Sequence, residues 1–285
     1  MKAKKLRELL EKPEIIRAPG AYDAWSARMV EAAGFPAVYM TGAGVTASIL
    51  GRADIGLLTM SEMVAQAKNI ASAVNIPVIA DADTGYGGVL NVIRTVEEYE
   101  RAGVAAIHLE DQVMPKRCGH MDGKEVIEKA EMVSRIKAAL SAKKDKDFVI
   151  IARTDARAVN GLEDAVDRAK AYAAAGADAI FFEAPASREE MRIMRENIEK
   201  PLLANMVEKG KTPFFTGAEL QEMGYNIVIY PGSILLSATK AMTDVLACLK
   251  ADDTTANHSA DMIGFSDYFR LAGVEKEREL EKSFI

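Results

Sequence analysis

Short β-rich apolar runs recur along this chain about every 25–35 residues, each followed by an amphipathic helical stretch, the alternation that a parallel sheet with crossover helices requires. Eight runs can be read, at 15–19, 37–41, 77–81, 105–110, 148–153, 179–183, 201–205 and 226–230. Helical patterns lie between or after them at 23–33, 60–73, 91–102, 129–142, 162–175 and 236–249. Gly34, Gly103 and Gly176 each stand where a helix stops just before a new run, the usual place for a left-handed cap. Eight such units fit a closed (β/α)8 TIM barrel better than an open doubly wound sheet, and 285 residues suit a single barrel domain, 1–285.

The formal net charge of −6 argues against nucleic acid as a partner, because counterion release needs clustered Lys and Arg. No apolar run approaches the ~20 residues that span a bilayer, and the charged start of the chain lacks a signal core, so a cytoplasmic protein with no membrane partner is expected. Of the two cysteines, Cys248 lies in an apolar helical pattern and reads as a small buried hydrophobe, whereas Cys118 lies in a polar segment.

Polar residues gather where the runs end. Thr41, Asp81, Asp83, Glu110, Arg153, Glu183 and Asn205 all sit at or just past C-terminal ends of different runs, which converge on one face in a barrel. Asp81 and Asp83 have period-two spacing and point to the same side, so without a partner they repel. With Glu110 and Glu183 nearby, a hard cation resolves the crowding, and an oxygen-only donor set favours Mg²⁺ or Mn²⁺ over zinc.

The 39–44 stretch supplies a hydroxyl and a glycine-rich turn whose amides suit a carboxylate or an enolate oxygen. Gly42, Gly44 and Ala47 also match a dinucleotide fingerprint, but an irregular segment at 50–56 is expected before the next helix, and Glu62 falls at a helix start. A polar loop carries Cys118 between Lys116, Arg117 and His120, a setting that favours thiolate and makes the sulfur a proton carrier or nucleophile. Gly119 and Gly123 let this loop close as a lid. His108 reads as a hydrogen-bonded core histidine, and none of the eight runs carries a lysine for a Schiff base.

On these motifs the chain resembles the isocitrate lyase and phosphoenolpyruvate mutase superfamily over nearly its whole length. The stretch 116–120 looks like the signature of the lyase branch, and Asp81, Asp83 and the 110–112 stretch look like its Mg²⁺ site. Phrases at 113–115, 203–208, 224–227 and 252–255 are more similar to 2,3-dimethylmalate lyases than to 2-methylisocitrate lyases.

The resemblance implies that Asp81 and Asp83 hold Mg²⁺ directly or through water, supported by Glu110 and, through water, by Asp54. It implies that Tyr39, Thr41, Gly42 and Ala43 bind the pyruvate-forming half of a 2-hydroxy acid, with Arg153, Glu183 and Asn205 completing the pocket. Lys116, Arg117, Cys118, Gly119 and His120 would act at the reacting carbons, Cys118 as proton donor and Tyr39 as candidate base. A homotetramer that exchanges the segment 236–285 between subunits is implied as well.

The substrate leaning is toward 2,3-dimethylmalate, because the 230–236 exit with Phe181 and Phe182 offers apolar side chains and no cation for a third carboxylate. The rival readings are an oxaloacetate hydrolase or decarboxylase using the same metal site, and a non-catalytic binding barrel.

Overall fold

The computed structural model describes residues 2–119, 121 and 123–285. Eight parallel strands close into a barrel in chain order: β1 Ile16–Ala21, β2 Val38–Met40, β3 Val78–Asp81, β4 Ala106–Glu110, β5 Val149–Thr154, β6 Ala179–Phe182, β7 Leu202–Asn205 and β8 Ile227–Tyr230. Closure is direct, with Ile16 of β1 opposite Ile227 of β8. The expected (β/α)8 barrel is therefore present.

Period-two alternation sorts the strand residues into two cores. Tyr39, Ile79, Ala106, Ile151, Phe181, Leu203 and Ile229 share the cluster inside the barrel. Met40, Ala80, Ile107, Ala152, Phe182 and Ala204 belong to the larger cluster that also takes in helix residues. The parity that places Ile79, Ala106, Ile151, Phe181 and Leu203 inside also carries Asp81, Glu110, Arg153, Glu183 and Asn205, so an inward polar residue stands at the end of four strands and just past the end of β6. Ala3 and Leu6 of α1, Lys2–Leu10, join the interior cluster. Arg7 of that helix donates to the carbonyls of Asp147 and Phe148 and pairs with Asp178 at 2.9 Å.

The outer helices are α2 Ala24–Ala32, α3 Gly42–Leu50, α4 Met60–Ala73, α5 Val89–Ala102, α6 Lys129–Ala142, α7 Arg157–Asn160, α8 Leu162–Ala174, α9 Arg188–Asn197 and α10 Gly217–Glu222. Helix α5 does end at Gly103, which takes φ 87° as the expected left-handed cap. Helix α3 differs from the sequence reading. The glycines at 42 and 44 do not form an irregular turn but open a nine-residue helix, whose N-cap Thr41 accepts from the Gly44 amide. A good cap offsets the poor helix propensity of two early glycines. Glu62 is at a helix start as expected, in the capping box of α4 with Thr59.

By contacts the chain splits into two compact units, Met1–Ile234 and Leu235–Ile285. Helix α11, Ser233–Asp252, leads into the second, which continues with a 3-10 turn at Ala256–Asp261, α12 Phe265–Ala272 and α13 Val274–Lys282. Helix α11 has no buried residue, and Leu236, Met242, Leu246 and Leu249 on it are exposed. Cys248 is accordingly half-exposed, not a buried hydrophobe: its thiol sits 3.3 Å from the Thr254 carbonyl. Among the described residues, no helix is long and apolar enough to cross a membrane.

Candidate active site

The C-terminal strand ends bring Asp81, Asp83, Glu110, Arg153, Glu183 and Asn205 together in a buried, highly charged floor. Arg153 reaches three carboxylates: Asp155 at 2.9 Å, Glu110 at 3.4 Å and Glu183 at 3.5 Å. Asn205 donates to Glu183 at 3.2 Å. The Arg153 guanidinium also lies over the Phe181 ring, 4.9 Å from its centre, so Phe181 forms the floor beneath the charges. Phe182 faces the outer core, and the expected apolar pocket wall from these two phenylalanines is absent because alternation sends them to opposite sides.

Lys116 occupies the middle of the acidic group. Its ammonium is 2.5 Å from Asp54 and 2.7 Å from Asp83, and it is buried. Burial opposes its charge, but Asp83, Asp81, Glu110 and Asp54 outweigh that and hold its pKa well above the usual lysine value. Lys116 therefore neutralises carboxylates, whereas the sequence reading set it beside the cysteine sulfur. Burial, reinforced by Asp81 and Asp54, pushes Asp83 up to about 6 despite Lys116. Burial likewise raises Glu110 well above the carboxylate range. Asp83 has φ 46°, uncommon for a residue with a Cβ and a sign of backbone strain at the site.

Among the described residues, no three Asp, Glu, His or Cys side chains form a finished cation cage in this arrangement. The donor chemistry nevertheless fits a hard cation. Asp54, Asp81, Asp83 and Glu110 offer only oxygen, Glu110 Oε1 is buried without a hydrogen-bond partner, and a lysine ammonium already sits where positive charge is required.

Tyr39 lies inside the barrel with its hydroxyl 2.8 Å from His108 Nε2. Burial, then Asp81, pushes the phenol well above its ordinary value, so Tyr39 works as a neutral hydroxyl. Burial lowers His108 to about 4 against the pull of Asp81, leaving a neutral imidazole. The core histidine expected from the sequence is thus bonded to a candidate site residue. Thr41 is buried, the Gly42 amide donates to Asp81 at 3.3 Å, and Ala43 is half-exposed at the start of α3, where the helix dipole favours an anion.

The cysteine loop is a hairpin. Val113 donates to Glu125, Ile127 donates to Asp111, and Gln112 bridges to Val126, so the neck is paired and the tip carries 116–119. Gln112 holds the Arg117 backbone from both sides, at 2.9 Å to its N–H and 2.9 Å to its carbonyl. Arg117 is exposed and its guanidinium lies against Gly123. Cys118 is half-buried and in no disulfide. Gly119 is pressed on the floor, where an added Cβ would come within 2.5 Å of Arg153 and 2.6 Å of Glu183. Only glycine lets the backbone approach so closely. His120 lies outside the described residues.

Of the 110–112 stretch, only Glu110 faces the site. Asp111 turns outward to accept from Thr154, Tyr172 and the Asp155 amide, and lies 3.4 Å from Arg168. The sequence reading also missed Asp155 and Lys124. Asp155 lies two residues past Arg153 and so was within reach of the alternation argument. Lys124 carried no comparable signal, because only the hairpin brings it back.

A family model described as phosphoenolpyruvate phosphomutase matches residues 6–250. The chain is 54% identical to the 2,3-dimethylmalate lyase of Eubacterium barkeri over 282 residues, covering 99% of this chain and 98% of that one. It is 47% identical to the 2-methylisocitrate lyase of Aeropyrum pernix, covering 92% and 87% respectively. A crystal structure of 2,3-dimethylmalate lyase superposes with a TM-score of 0.94 at 44% identity, covering 99% and 95%. A phosphonopyruvate hydrolase solved with oxalate and Mg²⁺ superposes with a TM-score of 0.89 at 32% identity, covering 99% and 98%. By sequence and by fold, the chain belongs to the phosphoenolpyruvate mutase/isocitrate lyase superfamily.

Proposed function

We propose that this chain is a cytoplasmic, divalent-metal-dependent carbon–carbon lyase that cleaves 2,3-dimethylmalate to pyruvate and propionate. The observation that carries this reading is the meeting of an oxygen-only acidic cluster with a cysteine-bearing loop that closes on Arg153 and Glu183. The likeness to lyases named for 2,3-dimethylmalate and 2-methylisocitrate supports it. Asp81 and Asp83, backed by Glu110 and Asp54, are the residues proposed to hold Mg²⁺, with Mn²⁺ as the substitute. The metal, when bound, supplies Lewis acidity that makes the 2-hydroxyl proton easier to remove.

The protein groups do the rest. The amides at the start of α3 and the Thr41 hydroxyl receive the carboxylate of the pyruvate-forming half. As the 2-hydroxyl passes its proton to solvent water, the C2–C3 bond breaks, C2 becomes the ketone of pyruvate, and the electron pair passes to C3 as the enolate of propionate. Arg153, held by Asp155, Glu110 and Glu183, sets positive charge beside that enolate, and Cys118 delivers the proton to C3. Tyr39, kept neutral, orients the hydroxyl through its bond with His108.

The substrate choice rests on charge. 2-Methylisocitrate carries one more carboxylate than 2,3-dimethylmalate, and leaving it buried and unmatched would cost several kcal/mol. Among the described residues, the buried cations at the site, Lys116, Arg153 and Lys124, are already matched by Asp54, Asp83, Asp155, Glu110 and Glu183. The expected result is a higher kcat/KM for 2,3-dimethylmalate, with propionate released. A higher value for 2-methylisocitrate, with succinate released, reverses the assignment and leaves the lyase chemistry intact.

The proposed assembly is a homotetramer in which 236–285 packs on a neighbour. The exposed apolar residues of α11 need a cover, and the receptor proposed for them on the neighbour is a groove of ≈730 Å³ on the barrel, where Ile15, Phe214, Phe215 and Tyr230 supply the apolar lining beside the charged Glu14, Arg17 and Glu222. Light scattering should give a tetramer for the full chain and loss of assembly when the chain is ended before Leu236. A monodisperse full-length monomer contradicts the proposal.

A further inference from the structure

Cys118 is flanked by two tethers from the hairpin's own neck. Gln112 holds the backbone of Arg117 on one side. On the other, the Lys124 ammonium donates to the Gly119 carbonyl and pairs with Asp155 at 2.8 Å. Both members of that pair are buried, the Lys124 side chain 1% and the Asp155 side chain 0% exposed, so water screens it little. Asp155 is shared: its carboxylate takes Arg153 Nε at 2.9 Å and a second guanidinium nitrogen at 3.1 Å, while its amide donates to Asp111. One continuous chain of contacts thus runs from the loop backbone, through Lys124 and Asp155, to the guanidinium on the floor.

This arrangement is a closed one. Glu110 and Glu183 are 1% exposed, Arg153 is 7% exposed, and Gly119 leaves no room above Arg153 for a methyl group. A substrate reaches the floor only if the loop lifts, and turnover then needs the loop to return to the same place.

We propose that Lys124 is a positioning residue of the lyase reaction, its bridge from the Gly119 carbonyl to Asp155 holding the loop shut with Cys118 over the site and tying closure to the placement of Arg153. Lys124 acts through these partners and not on the substrate. The kinetic part of the inference rests on the reading of Cys118 as proton donor, whereas the placement of the loop does not.

The test separates the two. In a Cys248→Ser background, iodoacetamide reports Cys118 alone. Lys124→Met keeps the length of the side chain and removes the bridge, and should raise the alkylation rate of Cys118 by about 10-fold as the open loop gains population. The same variant should lower kcat by roughly 10²-fold with a much smaller change in KM, the effect expected when a reacting group is misplaced by about an ångström. Lys124→Arg, which can still span the two acceptors, should recover most of both. Where Lys124→Met does not fold, Asp155→Asn weakens the same bridge from its other end and should also speed alkylation. Faster alkylation in a protein that cleaves no 2-hydroxy acid sustains the tethering of the loop by Lys124 and defeats the lyase reading together with the kinetic part. An unchanged alkylation rate in folded Lys124→Met or Asp155→Asn overturns the inference, whatever happens to kcat.

Discussion

Exhaustive chelation, or the single change Asp83→Asn, should reduce turnover by at least about 10³-fold, as expected when charge stabilisation at the reacting oxygens is removed. Asparagine suits the test because it matches aspartate in shape and tolerates the positive φ of 46° at this position. The same substitution should stabilise the metal-free protein, and the sign follows from the pKa. Asp83 titrates near 6 in the fold, above its ordinary carboxylate value, so the fold favours the protonated form. The cost of ionising it is absent below its ordinary carboxylate value, is still small at pH 4, grows as the pH rises, and is complete somewhat above 6. Loss of the contact with Lys116 takes back part of the gain, but that ammonium keeps Asp54 at 2.5 Å. Metal-free Asp83→Asn should therefore melt a few degrees higher than metal-free wild type at pH 8, with the gap closing toward pH 4. Full turnover by this variant, or after chelation, removes the metal from the mechanism; a lower melting temperature at pH 8 would show that the attraction of Lys116 outweighs burial and the neighbouring carboxylates at Asp83.

The barrel was legible because period two and period 3.6 are local properties of the chain, and closure follows once eight units are counted. The same alternation puts Asp81, Glu110, Arg153, Glu183 and Asn205 on one face. The two misplaced expectations both break that alternation: of Phe181 and Phe182 only one can face inward, and Asp111, adjacent to Glu110, must turn out toward Arg168 and Tyr172. Other features lie beyond local pattern. The path of the hairpin decides that Lys116 returns to Asp54 and Asp83, and that Lys124 reaches the Gly119 carbonyl. Those pairings depend on strand-like contacts between 111–113 and 125–127, a segment whose composition reads only as polar loop. Helix α3 was missed because propensity alone penalises Gly42 and Gly44, while the deciding term, the Thr41 cap, is worth about as much as one glycine costs.

Cys118→Ala and Cys118→Ser should each lower kcat by at least about 10²-fold, the usual contribution of a positioned proton donor, with KM changing far less. The reason lies in what remains after C2–C3 cleavage. Pyruvate is formed beside a carboxylate enolate that reverts unless C3 is protonated, and the half-buried Cys118, the proposed donor, directly precedes Gly119, which the loop presses on the floor. Serine keeps the size but is a far weaker acid, and alanine removes the proton altogether, so both variants must wait for water. Water has no fixed face from which to deliver. In D₂O the wild-type enzyme should place one deuterium on C2 of propionate with a single configuration, because a tethered thiol protonates one side of the enolate. The variants should yield the same product slowly and with mixed configuration. Retained stereochemistry together with a kcat within about threefold of wild type would take Cys118 out of the proton transfer, since the loss of a true donor is not so small. Slow turnover with retained configuration would instead assign the proton to another fixed group and leave Cys118 as part of the lid.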